Sequence, residues 1–115
     1  MEVQIFGVRK NADTRAALRF FSERRIRTHF VDLDERPPSP RELERFARKV
    51  GVRGLIDRGA KRYAELGLQA AQLTDTRWLE KLATEPLVLR LPLVRYQNDV
   101  TIGAAQDAWK QWCGK

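Results

Sequence analysis

The stretch FGVRKNADTR, residues 6–15, holds the residue types best suited to chemistry in this chain. A glycine turn is followed by Arg9, Lys10, Asn11, Asp13 and Arg15, directly before a helical pattern. Free N–H groups at a helix start carry partial positive charge, and with nearby cations they hold an oxyanion or favour a thiolate. The stretch contains no cysteine, so the nucleophile is missing. Asn11 and Asp13 equally suit a plain helix cap, and residue type alone does not separate capping from binding. Elsewhere the candidates are few. His29 has no serine, cysteine or acid recognisably arranged around it, and reads as a structural or surface residue. Cys113 lies four residues after Trp109 and reads as a small apolar member of a core-facing stripe. One histidine and one cysteine make no Cys/His metal cluster and no internal disulfide. No metal or cofactor is expected.

The elements that must position the turn follow from periodicity. VQIF (3–6) has the composition of a short strand. Thr14, Ala17, Leu18 and Phe21 fall at i, i+3, i+4 and i+7, which predicts a helix with that face on a sheet. RTHFVDL (27–33) predicts a second strand, and strand, helix, strand favours a parallel pair with a right-handed crossover. In SPRELERFARKVG, Ser39 and Glu42 form a capping box, Pro40 suits the first helical position, and Gly51 ends the helix. Its apolar stripe is Leu43, Phe46, Ala47 and Val50. A looser helical region spans 54–67, and a helix is expected over 75–84 with Trp78, Leu79 and Leu82 on one face. LVLRLPLVRY (87–96) reads as a strand interrupted by Pro92, which must sit at an edge, at a bulge or in a cis bond. QND then turns the chain into VTIG (100–103), the returning strand of a hairpin. A last helix carries Ala105, Ala108, Trp109 and Trp112 on one face, tryptophans at core spacing. The fold class is α/β with a four-stranded mixed sheet.

A length of 115 residues suits one domain with one core, and 43% hydrophobic with 32% charged residues is the balance of a soluble globular protein. No apolar run is long enough to span a membrane, and MEVQIFGVRK lacks the apolar centre of a signal peptide, so a cytoplasmic location is expected. The net charge of +7 and pI near 10.2 suit an acidic protein partner. Fifteen acidic residues interleave with 22 basic ones, as in RELERFARK, which describes solvated helix faces. Only ERRIR (23–27) approaches a basic block, and no nucleic acid is expected as partner.

The order βαβ, helices, ββα, with a proline entering the third strand, resembles the thioredoxin fold. Five segments narrow the likeness: IFGVRKNADTRAALRFFSERRI, FVDLDERPPSPRELERF, GLIDRGAKRYAELGL, EPLVLRLPLVR and TIGAAQDAWKQW. Together they look like the arsenate reductase and Spx family, through nearly the whole chain. The resemblance implies a single thioredoxin-like domain over 1–115 with a helical insertion at about 39–84. Family members carry a cysteine after the first strand in the spacing Cys-x-x-x-Arg, where helix and arginine favour the attacking thiolate. Matching that pattern puts Asn11 in the cysteine's place and Arg15 in the arginine's, with Ala12 the alternative if the turn is one residue longer. The resemblance also carries over Arg58, as an arginine near the catalytic turn, and Pro92, as the cis-proline beside it. Arsenate reductases of the best-known kind have Arg-Pro there, whereas this chain has Leu91-Pro92 preceded by Arg90. With the cysteine replaced, the resemblance implies a non-catalytic module binding a small oxyanion, a glutathione-like ligand or a protein; the alternatives are a Spx-like regulatory interaction protein and an oxidoreductase linked to glutathione or arsenate, against which the missing turn cysteine argues.

Overall fold

A computed structural model describes residues 1–114 and separates two compact units. Residues 1–36 with those from 91 onward form the sheet unit, and residues 37–90 form the helical unit.

The sheet unit is built on β1 (Glu2–Gly7), α1 (Ala12–Glu23), β2 (Arg27–Asp32), β3 (Leu93–Tyr96), β4 (Asp99–Ile102) and α5 (Gln106–Cys113). The sheet order is β2-β1-β3-β4, with β1 parallel to β2 and antiparallel to β3, and β4 antiparallel to β3. The four-stranded mixed sheet expected from the sequence is therefore present. β1 lies between two neighbours, and most of its side chains are buried, as a central strand requires. On α1, Thr14, Ala17 and Phe21 are buried and Leu18 is half-buried, which is the face the spacing predicts. Phe20 is buried too, and stacks at 5.0 Å edge-on to Phe21 and 5.5 Å from Trp109 of α5. Trp109 keeps its indole N–H satisfied by donating to Thr101 Oγ1 at 2.8 Å.

The strand expected over 87–96 is much shorter in the structure. Only Leu93–Tyr96 pairs as a strand, while Pro86–Val88 is a 3₁₀ turn and Leu89 makes one isolated bridge to Ile56. Two proline rings bracket the lost portion, and proline has no N–H to give a ladder. The backbone between them bonds within the helical unit instead, through Asp57 N–H to Val88 O and Arg90 N–H to Leu55 O, both 2.8 Å. The hairpin turn is Gln97 and Asn98, with Gln97 at φ +56°, and Asp99 already belongs to β4.

In the helical unit, α2 (Pro40–Val50) starts with the expected capping box: Glu42 N–H donates to Ser39 Oγ and Ser39 N–H to Glu42 Oε1. Leu43 and Phe46 are buried and Ala47 is half-buried, but Val50 is 45% exposed. Val50 is the last helical residue, where Gly51 at φ +79° turns the chain and the packed face runs out. The loose region resolves into 3₁₀ turns at Val52–Leu55 and Leu68–Ala70 flanking α3 (Lys61–Glu65). α4 (Asp75–Thr84) has the expected limits, with Trp78 and Leu82 buried and Leu79 half-buried.

Arg62 of α3 grips Glu85 with two bonds, Nε at 2.8 Å and Nη2 at 3.3 Å. The hydrogen bond from Arg62 holds the Glu85 carboxyl below its ordinary value, and Glu85 in turn raises Arg62. A depressed carboxyl pKa adds stability above the unfolded value, which is lost as pH falls through the folded one. Glu85→Gln is therefore expected to lower the urea midpoint slightly at neutral pH and not at a pH low enough to protonate the carboxyl in the folded protein as well as in the unfolded one. Both groups are partly exposed, so the effect is small and weakens with salt. Equal loss at both pH values would show that the contact is not ionic.

Candidate functional site

Between Gly7, the end of β1, and Ala12, the start of α1, four residues make the turn. Asn11 N–H donates to Val8 O at 3.0 Å and closes it. Asn11 is the N-cap, in extended conformation at φ −85° and ψ 125°. Its Oδ1 accepts two bonds from one residue, from Thr14 N–H at 2.7 Å and from Thr14 Oγ1 at 2.9 Å. Thr14 is wholly buried. A Cβ on Gly7 would run into the Thr14 Oγ1 and Cγ2 atoms, so the glycine is what lets the first turn of α1 sit this close to β1.

The cations are arranged around this cap. Arg15 Nη1 donates to Arg9 O at 2.8 Å, which ties the first turn of α1 back to the middle of the loop. Arg9 places its guanidinium 4.8 Å from the Phe30 ring centroid and its Nε 4.0 Å from Asp32 Oδ2. Asp32 is itself held, accepting from Asp34 N–H at 3.0 Å. Lys10 is exposed at the tip.

On the β3 side the Leu91–Pro92 peptide is cis. Leu93 pairs with Phe6, so the register puts Pro92 beside Gly7, at the same end of β1 as the turn. Pro92 O accepts from Gly103 N–H at 2.8 Å. Its carbonyl is thus engaged within the sheet.

The electrostatic capacity of the turn follows. A helix start leaves its first N–H groups without intrahelical acceptors. Asn11 Oδ1 takes the one from Thr14, and Asn11 O takes the N–H of Arg15 at 3.1 Å. The N–H groups of Ala12 and Asp13 remain for an outside acceptor, beside Arg9, Lys10 and Arg15, while the Asp13 carboxylate in the first turn opposes an anion.

The ArsC family model matches residues 6–112, from the end of β1 to the last turn of α5. The chain belongs to the ArsC family. An arsenate reductase of Neisseria meningitidis serogroup A is 30% identical over 105 residues, which are 89% of this chain and 90% of that relative. An arsenate reductase from Vibrio cholerae superposes with a TM-score of 0.83 at 24% identity, covering 96% of this chain and 97% of that one. A putative arsenate reductase from Yersinia pestis gives 0.84 at 23%, covering 95% and 98%. These two likenesses establish the thioredoxin-like fold of the ArsC family here.

Of the residues singled out from the sequence of this ArsC-family chain, Arg9, Asn11 and Arg15 are brought together in one bonded loop, with Lys10 at its tip and Pro92 alongside by register. Arg58 belongs to the helical unit, exposed, with Nη1 3.3 Å from Tyr63 Oη. Ala12 is the first helical residue and Asn11 the cap. His29 is exposed on β2, and Cys113 is half-buried on α5, packed against the sheet core. Among the described residues no three His, Cys, Asp or Glu side chains group as a metal site, and no helix is long and apolar enough to cross a membrane.

Three contributors escaped sequence reasoning. Thr14 was legible as a core position, yet its hydroxyl also serves Asn11. An asparagine followed three residues later by a threonine was the available signal. Phe30 and Asp32, which orient Arg9, come from β2 and had no local signal at all.

Proposed function

We propose that this ArsC-family chain is a non-catalytic binding module whose turn, residues 8–15, receives the anionic end of a small ligand, an oxyanion or a glutathione-like thiol peptide. The observation that carries the reading is the double bond set from Thr14 to Asn11 Oδ1. By family resemblance Asn11 stands at the nucleophile's position, and its amide oxygen takes the donors that a thiolate there would use. An amide is not a nucleophile at neutral pH, so the turn keeps recognition without chemistry. The free N–H groups of Ala12 and Asp13 and the charges of Arg9, Lys10 and Arg15 supply the attraction. The basic net charge of +7 supports an acidic protein surface as the second reading, a Spx-like interaction role in the cytoplasm.

Supplied with glutathione and glutaredoxin, the purified protein is expected not to reduce arsenate above a no-protein control. Turnover that vanishes in Cys113→Ser would reverse the proposal in favour of an oxidoreductase. In the companion titration, glutathione is expected to shift the amide signals of Ala12 and Asp13, and Lys10→Ala to weaken the apparent affinity roughly two- to fivefold, the range for one helix-end charge contact. Saturating glutathione without any change in these amide signals would remove the turn as a binding site.

A further inference from the structure

The sheet unit carries an open recess, about 520 Å³, lined by Arg24, Ile26, Tyr96, Lys110, Trp112 and Cys113 together with Met1 and Gly114. Its size falls within the range of small-molecule sites. It lies at the other end of β1 from the turn. Arg24 and Ile26 follow the C-terminus of α1, Tyr96 ends β3, and Lys110 to Cys113 form the last turn of α5. β1 rises about 3.3 Å per residue, so its six residues separate the two places by about 20 Å.

The lining has two chemical characters. Tyr96 and Trp112 meet with centroids 5.7 Å apart and planes tilted by 46°, giving an aromatic wall beside Ile26 to which the half-buried Tyr96 contributes the more exposed ring. Tyr96 is half-buried, so part of the ring faces the recess. Arg24 and Lys110, both exposed, bring two positive charges to the same lining. Arg24 is held in place: its Nη1 donates to Phe20 O at 3.0 Å and its Cζ lies 3.6 Å from the Phe20 ring centroid. A guanidinium fixed by one N–H keeps its others for a ligand. The backbone behind it is fixed as well, because Arg25 at φ +57° lets Ile26 N–H return to Phe21 O at 3.0 Å. The ERRIR run, which the turn does not use, thus supplies one charge and one apolar side chain to this recess.

We propose that this recess binds a small planar organic anion, its ring against Tyr96 and Trp112 and its charge between Arg24 and Lys110. The assignment is independent of the function proposed for the turn. Cys113, the sole cysteine, lines the recess and reports its occupancy.

The test uses the whole protein and three probes followed by amide signals: naphthalene sulfonate, its neutral analogue naphthalenemethanol, and inorganic sulfate. Naphthalene sulfonate is expected to move the signals of Tyr96, Lys110 and Trp112 and to slow alkylation of Cys113 by iodoacetamide. The alcohol and the inorganic ion are each expected to bind roughly tenfold more weakly, about 1.4 kcal/mol. Lys110→Gln, on the exposed face of α5, is expected to reduce the preference for sulfonate over alcohol severalfold with only a small change in thermal unfolding. Equal binding of the alcohol would reduce the recess to an apolar patch. Equal binding of sulfate would reduce it to a basic one, and sulfonate effects confined to other residues, or an unchanged Cys113 rate, would overturn the proposal outright.

Discussion

Asn11→Cys, made in a Cys113→Ser background, is expected to yield a thiol with an apparent pKa below the roughly 8.5 of a free cysteine. At the cap of α1 the new Sγ lies one bond nearer the backbone than Asn11 Oδ1 and faces the same donors, Thr14 N–H and Thr14 Oγ1, from which Asn11 Oδ1 accepts at 2.7 Å and 2.9 Å. Donors aimed at one atom stabilise its charged form, and the helix start and nearby cations act in the same direction. A tenfold gain in thiolate acidity corresponds to about 1.4 kcal/mol of preference for the charged form. Loss of the asparagine cap costs stability of about 1 kcal/mol, which a folded domain tolerates. The measurement is the pH dependence of alkylation, with one thiol in the chain. Arg15→Ala is expected to raise the value partway, because Arg15 holds the loop through Arg9 O and adds its charge. Thr14→Val is expected to raise it further by removing the hydroxyl donor. Salt should narrow the difference made by Arg15 more than that made by Thr14, since Thr14 is buried and Arg15 exposed. A value at or above that of free cysteine would mean that the turn is only a capped loop and that the proposed recognition at it is wrong.

Gly7→Ala is expected to lower stability by about 1–3 kcal/mol, the range for an added methyl in a packed site. Its Cβ meets Thr14 Oγ1 and Cγ2, atoms of a buried side chain already bonded to Asn11. The side chain therefore cannot swing aside without giving up the cap. Thr14→Ala alone also destabilises, since it removes a buried, bonded side chain. In the double variant the two closest collisions are gone and only the Thr14 Cβ, 3.1 Å away, remains, so the combined loss should fall short of the sum of the single losses by about 1 kcal/mol, a coupling typical of residues in contact. Urea unfolding of the four proteins gives this number directly. Strict additivity would show that Gly7 and Thr14 do not meet, and that the close seat of α1 on β1 has another cause.

Local residue chemistry was enough to determine the longer helices and the order of the elements, though not the short helical turns between 52 and 70. The capping box of Ser39 and Glu42 and the limits of α4 lie within a few residues of the groups that satisfy them, so sequence spacing and spatial contact coincide. The βαβ and ββα halves followed from changes of hydrophobic period, because each element must bury one face. The basic turn was legible for the same reason, as a run of adjacent residues. Its meaning was not. Asparagine suits a cap and a ligand site alike, and only the approach of buried Thr14, set by the packing of α1 on β1 at Gly7, showed which bonds Asn11 makes. A strand is a relation between distant segments, which is why the run 87–96 looked continuous and yet pairs as a strand only from Leu93 to Tyr96. The backbone of 88–90 found its partners at 55–57, a choice that the composition of the run does not contain. The recess beside Cys113 belongs to the same class: Arg24, Tyr96 and Lys110 are far apart in sequence and meet only because α1, β3 and α5 end on one side of a folded sheet.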